Sequence, residues 1–413
     1  MATQKTDSKS FIQKRRSSLM AAVFLMATSA IGPGFITQTA TFTSTMGAAF
    51  AFGILASIII DYVVQQNIWR VVTLTRMRAS DVANATLPGS GYLLAVLVIF
   101  GGLIFNIGNI AGTGLGLNAM LGLSPKWGGA LSALLAIGIF SSRRTSSIID
   151  RLIIVLGLVM IGLTLYVAIA SQPPVGEVLR QSILPDQINF AIITTIVGGT
   201  VGGYISYAGA HRLLDKGITG VEHIREVSSA ATNGILVVGL MRYVLFLAVL
   251  GVVASGVTLD TTSQVANPAS QAFQYAVGDF GVRIFGLIFW AAAVTSVIGA
   301  AYTSVTFMTV FKKGMTENQR NIATVIFIAV SLVIYLMLGT APAALLVFAG
   351  GFNGLILPIG LTIFVYVGWK RADLMEGYHY PRWLLWLGVI TCALTWYMGS
   401  ISVGAIFNFL NVV

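Results

Sequence analysis

Apolar stretches of about twenty residues recur along this chain from one end to the other, each long enough to cross the hydrocarbon core of a bilayer as a helix. They read as spans at 18–45, 47–71, 91–117, 124–141, 149–171, 189–214, 232–255, 281–311, 322–340, 343–368 and 383–408. Charge supports the reading. Only 9% of residues are charged, against roughly 25% in a soluble domain, which is too few to cover a water-facing surface of this size. Cys392 is the single cysteine, so an internal disulfide is excluded and no Cys/His metal cluster is present. Neither a nucleophile–base pair nor an H-E-x-x-H metal motif appears, which argues against an enzyme.

The net charge of +10 does not point to nucleic acid, because the charges sit in short loops between the apolar runs. Alternate connections, counted from the N-terminus, hold Lys5, Lys9, Lys14, Arg15, Arg16; Arg70, Arg76, Arg78; Arg143, Arg144, Arg151; Arg212, Lys216, Arg225; Lys312, Lys313, Arg320; and Lys370, Arg371, Arg382. That is 20 of the 24 basic residues. The other connections hold only Lys126, Arg180 and Arg283, and Arg242 lies inside a span. By the positive-inside rule the N-terminus is cytoplasmic and the C-terminus outside, in a bacterial inner membrane. Lys14-Arg15-Arg16 followed by an apolar run ending near Ala27-Thr28-Ser29-Ala30 imitates a signal peptide, but cleavage there would remove a helix that the charge alternation requires. Residues 1–13 are polar and expected to be disordered. Residues 14–413 read as one transmembrane domain.

Two spans are interrupted. The first contains Gly32-Pro33-Gly34 and then Phe35, Thr37 and Gln38. The sixth contains Gly198-Gly199-Thr200-Val201-Gly202-Gly203 and then Tyr204 and Tyr207. Proline in mid-span removes a donor and blocks helical continuity, and clustered glycine has poor helix propensity. Taken singly, a proline kink and a glycine packing face are ordinary in membrane helices. Their positions say more. Spans one and six are equivalent if 18–171 and 189–368 form two inverted halves, with 383–408 added. Paired interruptions at corresponding positions point to a transporter site at the bilayer midplane.

With these breaks in place, the chain resembles the NRAMP family of divalent-metal transporters. The resemblance rests on Phe24 through Ile31-Gly32-Pro33-Gly34-Phe35 in span one and on Gly198-Gly199-Thr200-Val201-Gly202-Gly203-Tyr204 in span six. Asn106-Ile107-Gly108-Asn109 with Gly112-Thr113-Gly114 in span three, and Leu357-Pro358 in span ten, extend it. It implies an all-α membrane protein with a LeuT-type five-plus-five inverted repeat, broken helices one and six, and eleven spans. It also shows departures. The family's metal-binding Asp falls at Gly32, its Asn at Phe35 and its Met at Gly202. The acidic pair of its proton route falls at Asn106 and Asn109, its sixth-helix histidines at Tyr204 and Gly209, and its tenth-helix Gln at Gly350.

A dehydrated transition-metal dication in low dielectric needs a carboxylate or an equally strong donor. Without these ligands, helix N-termini at the breaks favour an anion or carboxylate instead. The expected cargo is a small organic solute, carboxylate or amino-acid-like, bound by Gly32, Pro33, Gly34, Phe35, Thr37, Gln38, Gly199, Thr200, Gly202, Gly203, Tyr204, Tyr207 and Asn353. No resident metal or cofactor is implied. The partners are the solute, a coupling ion if one is used, and the bilayer. A divalent-cation carrier of the Mg²⁺ or Mn²⁺ kind, using backbone and hydroxyl ligands, is the alternative. A non-transporting receptor or scaffold is a third reading, disfavoured because it has no need of broken helices.

Four further residues are assigned to gating or lining. Asn106 and Asn109 share a helix face and serve either as interhelical hydrogen-bonding groups or as a neutral lining of the family's proton route. Asp61 in span two and Arg242 in span seven lie at matching depth, roughly 14 Å from the inner ends of their spans. A buried ion pair is expected because an unpaired charge there is expensive. His211 and His223 are expected at the cytoplasmic surface.

Overall fold

The computed structural model describes residues 19, 27, 30–141, 146–262, 267–338 and 342–410, the side chains of 146–157 excepted. The expected disordered segment 1–13, the basic triplet at 14–16 and most of span one before Ala30 lie outside the described residues. All regular structure among the described residues is helical. In chain order the helices are α1 (Pro33–Met46), α2 (Phe50–Thr75), α3 (Ala79–Thr86), α4 (Ser90–Leu121), α5 (Pro125–Ser141), α6 (Ser146–Ala170), α7 (Val175–Ile183), α8 (Phe190–Val201), α9 (Ile205–Asp215), α10 (Ile224–Ala254), α11 (Pro268–Met308), α12 (Glu317–Met337), α13 (Pro342–Lys370) and α14 (Arg382–Asn408). With α3 and α7 set aside as short connecting helices, and α8 and α9 counted as the halves of span six, these are the eleven expected spans.

The stretch Pro33–Thr75 is 43 residues of nearly continuous helix, roughly 65 Å, which is twice what the bilayer core needs. It divides at Gly47, whose φ of 54° and ψ of −136° interrupt the regular helix. Span boundaries differ from the expected ones where helix continues past the apolar stretch. The helix α10 begins at Ile224 rather than 232, because hydrogen bonding does not stop where hydropathy does. The helix α11 begins at Pro268 rather than 281. Asn267 caps it by accepting the Ala269 N–H at 2.8 Å, and Gly278, at φ 74°, kinks it where the span proper starts. The amphipathic α3 and α7 carry no long apolar run. The latter is bent 105° from the end of α6.

Spans one to three each pack against their counterparts in the second half: α1 against α8, α2 against α10, and α4 against α11 most extensively. Such pairing of equivalent helices follows when two inverted repeats share an axis through the centre. The most enclosed span is the broken sixth, with 94% of its most apolar window buried, whereas α12 has 28%. Leu, Ile and aromatic side chains on α5, α12 and α14 face outward, as lipid contact requires. Trp369 and Trp386, 5.1 Å apart, lie beside Lys370 and Arg382 as an interfacial aromatic pair. Three of the basic connections predicted to share one side meet: Arg78 pairs with Asp215 at 2.7 Å and Arg76 with Glu376 at 3.1 Å.

Candidate functional site

The break in span one falls at Ile31 and Gly32. Gly32 is extended (φ −96°, ψ −173°) and Pro33 opens α1 at its first position, where a missing N–H costs nothing. No side chain caps this end, so the Gly34 and Phe35 amides face the centre uncapped. In span six the break is narrower than the glycine run suggested. Gly198, Gly199 and Thr200 remain helical in α8, and Thr200 Oγ1 donates to Ile196 O at 2.7 Å. Only Gly202 (φ −79°, ψ 160°) and Gly203 (φ 53°) are unwound before Tyr204 restarts the chain into α9. Glycine alone fits at 203. A Cβ there would be left-handed and would strike the Asn353 carboxamide of α13.

Two carboxamides join the breaks. Gln38, one turn into α1, donates Nε2 to Leu346 O of α13 at 3.1 Å and lies in the space left by Gly199 of α8 and Gly350 of α13. Asn353 donates Nδ2 to Gly101 O of α4 at 3.1 Å and to Ala349 O at 2.9 Å. The Oε1 of Gln38 and the Oδ1 of Asn353 find no hydrogen-bond partner among the described residues. Tyr204 packs edge-on against Phe105 at 5.5 Å, its hydroxyl beside the Asn109 carboxamide. Asn106 turns the other way and donates to Ser331 Oγ of α12 at 3.1 Å, an interhelical bond. Where an open pocket between the breaks was expected, these side chains form a closed polar core, all of them buried.

Two expected lining residues belong elsewhere. Thr37 Oγ1 accepts from Asn267 Nδ2 at 2.5 Å and ties α1 to the start of α11. Tyr207 packs with Phe307 (5.1 Å), Phe364 (5.9 Å) and His211 (6.1 Å) in an aromatic plug. One to two turns further along the same two helices, α9 and α11, a cavity of about 920 Å³ opens. Arg76, Arg78, Asp81, Asp215 and Lys313 are among its lining residues. His211 is not at the surface. Its Nε2 accepts the Ala79 N–H at 3.1 Å, at the start of α3, so Nδ1 carries the proton toward Thr306 Oγ1, also 3.1 Å away. Sequence position misled here because α9 keeps one face inward to its end. His223 lies 3.5 Å from Glu226 on the partly exposed rim.

Asp61 and Arg242 are both 2% exposed and close enough for their charges to attract, yet among the described residues no salt bridge joins them. Arg242 instead sets its guanidinium over the Phe35 ring, 4.2 Å from the centroid, and donates Nη1 to Ile196 O at 3.2 Å. A ring face and a carbonyl partly solvate the cation without a carboxylate. Sequence reasoning also missed Gln65, which is fully buried one turn beyond Asp61 with neither side-chain polar atom partnered. The glycines Gly101 and Gly102, against which Asn353 and Ser304 lie, were missed as well. The available signals were a glutamine and a glycine pair in mid-span.

The sequence profile of the Natural resistance-associated macrophage protein-like family, Nramp, matches residues 23–404. The chain belongs to the Nramp family. It is 49% identical over 377 residues to an uncharacterized membrane protein of Haemophilus influenzae, covering 91% of this chain and 93% of that one. It is 48% identical over 383 residues to the uncharacterized membrane protein YcsG of Bacillus subtilis, covering 93% of both. Among solved structures, the Eremococcus coleocola manganese transporter superposes with a TM-score of 0.72 at 15% identity, over 94% of this chain and 86% of that one. MhsT in complex with L-phenylalanine superposes with a TM-score of 0.63 at 14% identity, over 94% and 98%. The Nramp chain described here therefore has the LeuT-type fold and is an integral membrane transporter. Among its described residues no group of three or more His, Cys, Asp or Glu side chains is placed to hold a metal ion.

Proposed function

We propose that this transporter moves a small organic solute, a carboxylate or amino-acid-like molecule, by alternating access, and that the solute sits between the breaks of spans one and six. The observation that carries the reading is the chemistry of that centre. Its side chains are carboxamides, hydroxyls and aromatics — Gln38, Asn353, Asn109, Tyr204 — and two helix N-termini point into it without side-chain caps. Amides and helix dipoles solvate an anion or a zwitterion. In this reading 18–171 and 189–368 are the two halves, the N-terminus is cytoplasmic, the membrane is a bacterial inner membrane, and the 920 Å³ cavity is the cytoplasmic vestibule. The aromatic plug of Tyr207, His211, Phe307 and Phe364 then separates vestibule from solute site.

A divalent cation is the second reading, favoured by the name of the manganese transporter that shares the fold. The same fold also holds L-phenylalanine in MhsT, so fold alone does not choose. The ligands weigh against the cation. The Leu346 and Gly101 carbonyls already accept from Gln38 and Asn353, and among the described residues no carboxylate belongs to either broken stretch, 31–35 or 198–204. Uptake into proteoliposomes of short organic acids, amino acids and Mn²⁺ tests the two readings. Uptake of an organic solute that falls on Asn353→Ala is the expected result. Saturable Mn²⁺ uptake lost on Gln38→Ala or Thr200→Ala, with no organic solute carried, overturns it.

A further inference from the structure

The Arg242 guanidinium is buried in the membrane interior, and its Nη1 is the one nitrogen with a protein acceptor. Nε and Nη2 find no partner among the described residues. These two nitrogens form one edge of the guanidinium, presenting parallel N–H bonds at the spacing of a carboxylate's two oxygens. An edge of this kind, stripped of water and left unpaired, is costly. The same group lies over Phe35, in the uncapped first turn of α1. Ile196 O, which accepts from Nη1, also accepts from Thr200 Oγ1. The guanidinium thus joins the first turn of α1, beside the span-one break, to the α8 half of span six. Asp61 presents Oδ1 without a partner, and Gln65 shares its face of α2 with both polar atoms free. Charge and hydrogen-bonding capacity are in surplus together at one place.

We propose that the Nε–Nη2 edge of Arg242 holds the carboxylate of the transported solute, with Asp61 as the internal anion that balances the guanidinium when the solute is absent. The proposal rests on the organic-solute reading and assigns the residue that recognises it. An arriving carboxylate replaces a distant attraction to Asp61 with two parallel charge-assisted hydrogen bonds. Because the guanidinium stacks on α1 and bonds α8, its occupancy is felt by both broken helices. Gln65 and the Gln38 Oε1 remain for a polar substituent on the solute's neighbouring carbon.

The test is thermal stabilisation of the full-length protein in nanodiscs. The probes are short 2-hydroxy, 2-amino and 2-oxo acids, each paired with its primary amide, with Mn²⁺ as a separate arm. The expected result is that an acid raises the melting temperature and its amide does not. Arg242→Lys, a point charge without the fork, weakens that acid roughly ten- to a hundredfold. Asp61→Asn keeps binding. The double variant Asp61→Asn/Arg242→Gln leaves the core uncharged, so its melting temperature without probe shows that it folds, and it loses the acid. Binding of the acid by this double variant within about threefold of the parent overturns the role of Arg242 and leaves the organic-solute reading standing. Stabilisation by Mn²⁺ and by none of the acids removes that reading, and the proposal with it.

Discussion

Two clusters of charge in this transporter are built in opposite ways. Around Arg180, on and beside the short helix α7, the charged groups are exposed and every one is engaged. Arg180 reaches Glu177 at 2.7 Å and Asp186 at 2.8 Å, and Gln181 donates to both carboxylates. Around Arg242 the groups are buried, and most of their hydrogen-bonding capacity is unused. Pairing is complete where water would have screened the charges anyway, and incomplete where an unpaired charge is most expensive. Selection for stability alone yields the reverse pattern. Buried polar groups that the fold leaves open are where a ligand or a conformational change is to be expected.

The sharpest way to break this contrast is to remove Arg242. Arg242→Ala removes the cation that rests on Phe35 and bonds Ile196 O, and with it the attraction to Asp61, and we expect a loss of about 2–3 kcal/mol in unfolding free energy. The charge-neutral double variant should recover much of it. Simple additivity of the two single effects would show that the residues do not interact. A smaller effect is expected at Gly203. Gly203→Ala meets both the left-handed backbone and Asn353, and should lower stability and transport. Adding Asn353→Ala relieves the collision but leaves a backbone strain of about 1–2 kcal/mol, so partial rescue in a thermal melt is the result to look for.

Gln38→Leu should cost about 0.5–1.5 kcal/mol, because it removes the hydrogen bond from α1 to Leu346 O of α13, and should reduce uptake more than it reduces expression. The smallest effect belongs to the exposed cluster. Arg180 and Gln181 hold the Glu177 and Asp186 carboxyls below their ordinary values, hydrogen bonding to Arg180 being the largest cause. A carboxyl lowered in the folded state contributes stability above its unfolded value, and the contribution fades as pH falls through the folded one. Arg180→Ala should therefore lower the melting temperature slightly at neutral pH, with the difference from the parent vanishing as pH falls through the folded values of the two carboxyls. A large loss at neutral pH would mean that this cluster also has a role beyond the surface.

Much of the architecture was legible before any coordinates. Apolar length marks a span because lipid offers no hydrogen bonds, and Gly32-Pro33 or Gly202-Gly203 cannot continue a helix whatever surrounds them. The helices α3 and α7 escaped because eight or nine amphipathic residues carry no apolar run. At the site, Gln38, Asn353 and Tyr204 were named and do stand at the breaks. Thr37, the neighbour of Gln38, and Tyr207, three residues after Tyr204, face Asn267 and an aromatic plug instead. Less than one helical turn separates the two sets, and hydropathy does not resolve a turn.

Sequence alone pointed to eleven spans, to breaks in two of them at equivalent places, and to Asp61 and Arg242 in the interiors of spans two and seven. Each follows from a local property: residue polarity in lipid, backbone geometry at glycine and proline, rise per residue along a helix. Only the tertiary structure decided that Arg242 rests on Phe35 and Ile196 O rather than on Asp61, and that His211 is core rather than surface. Those outcomes depend on which faces of α1, α2, α8 and α10 meet. Several helices choose those faces together by packing, and no single stretch of sequence encodes the choice.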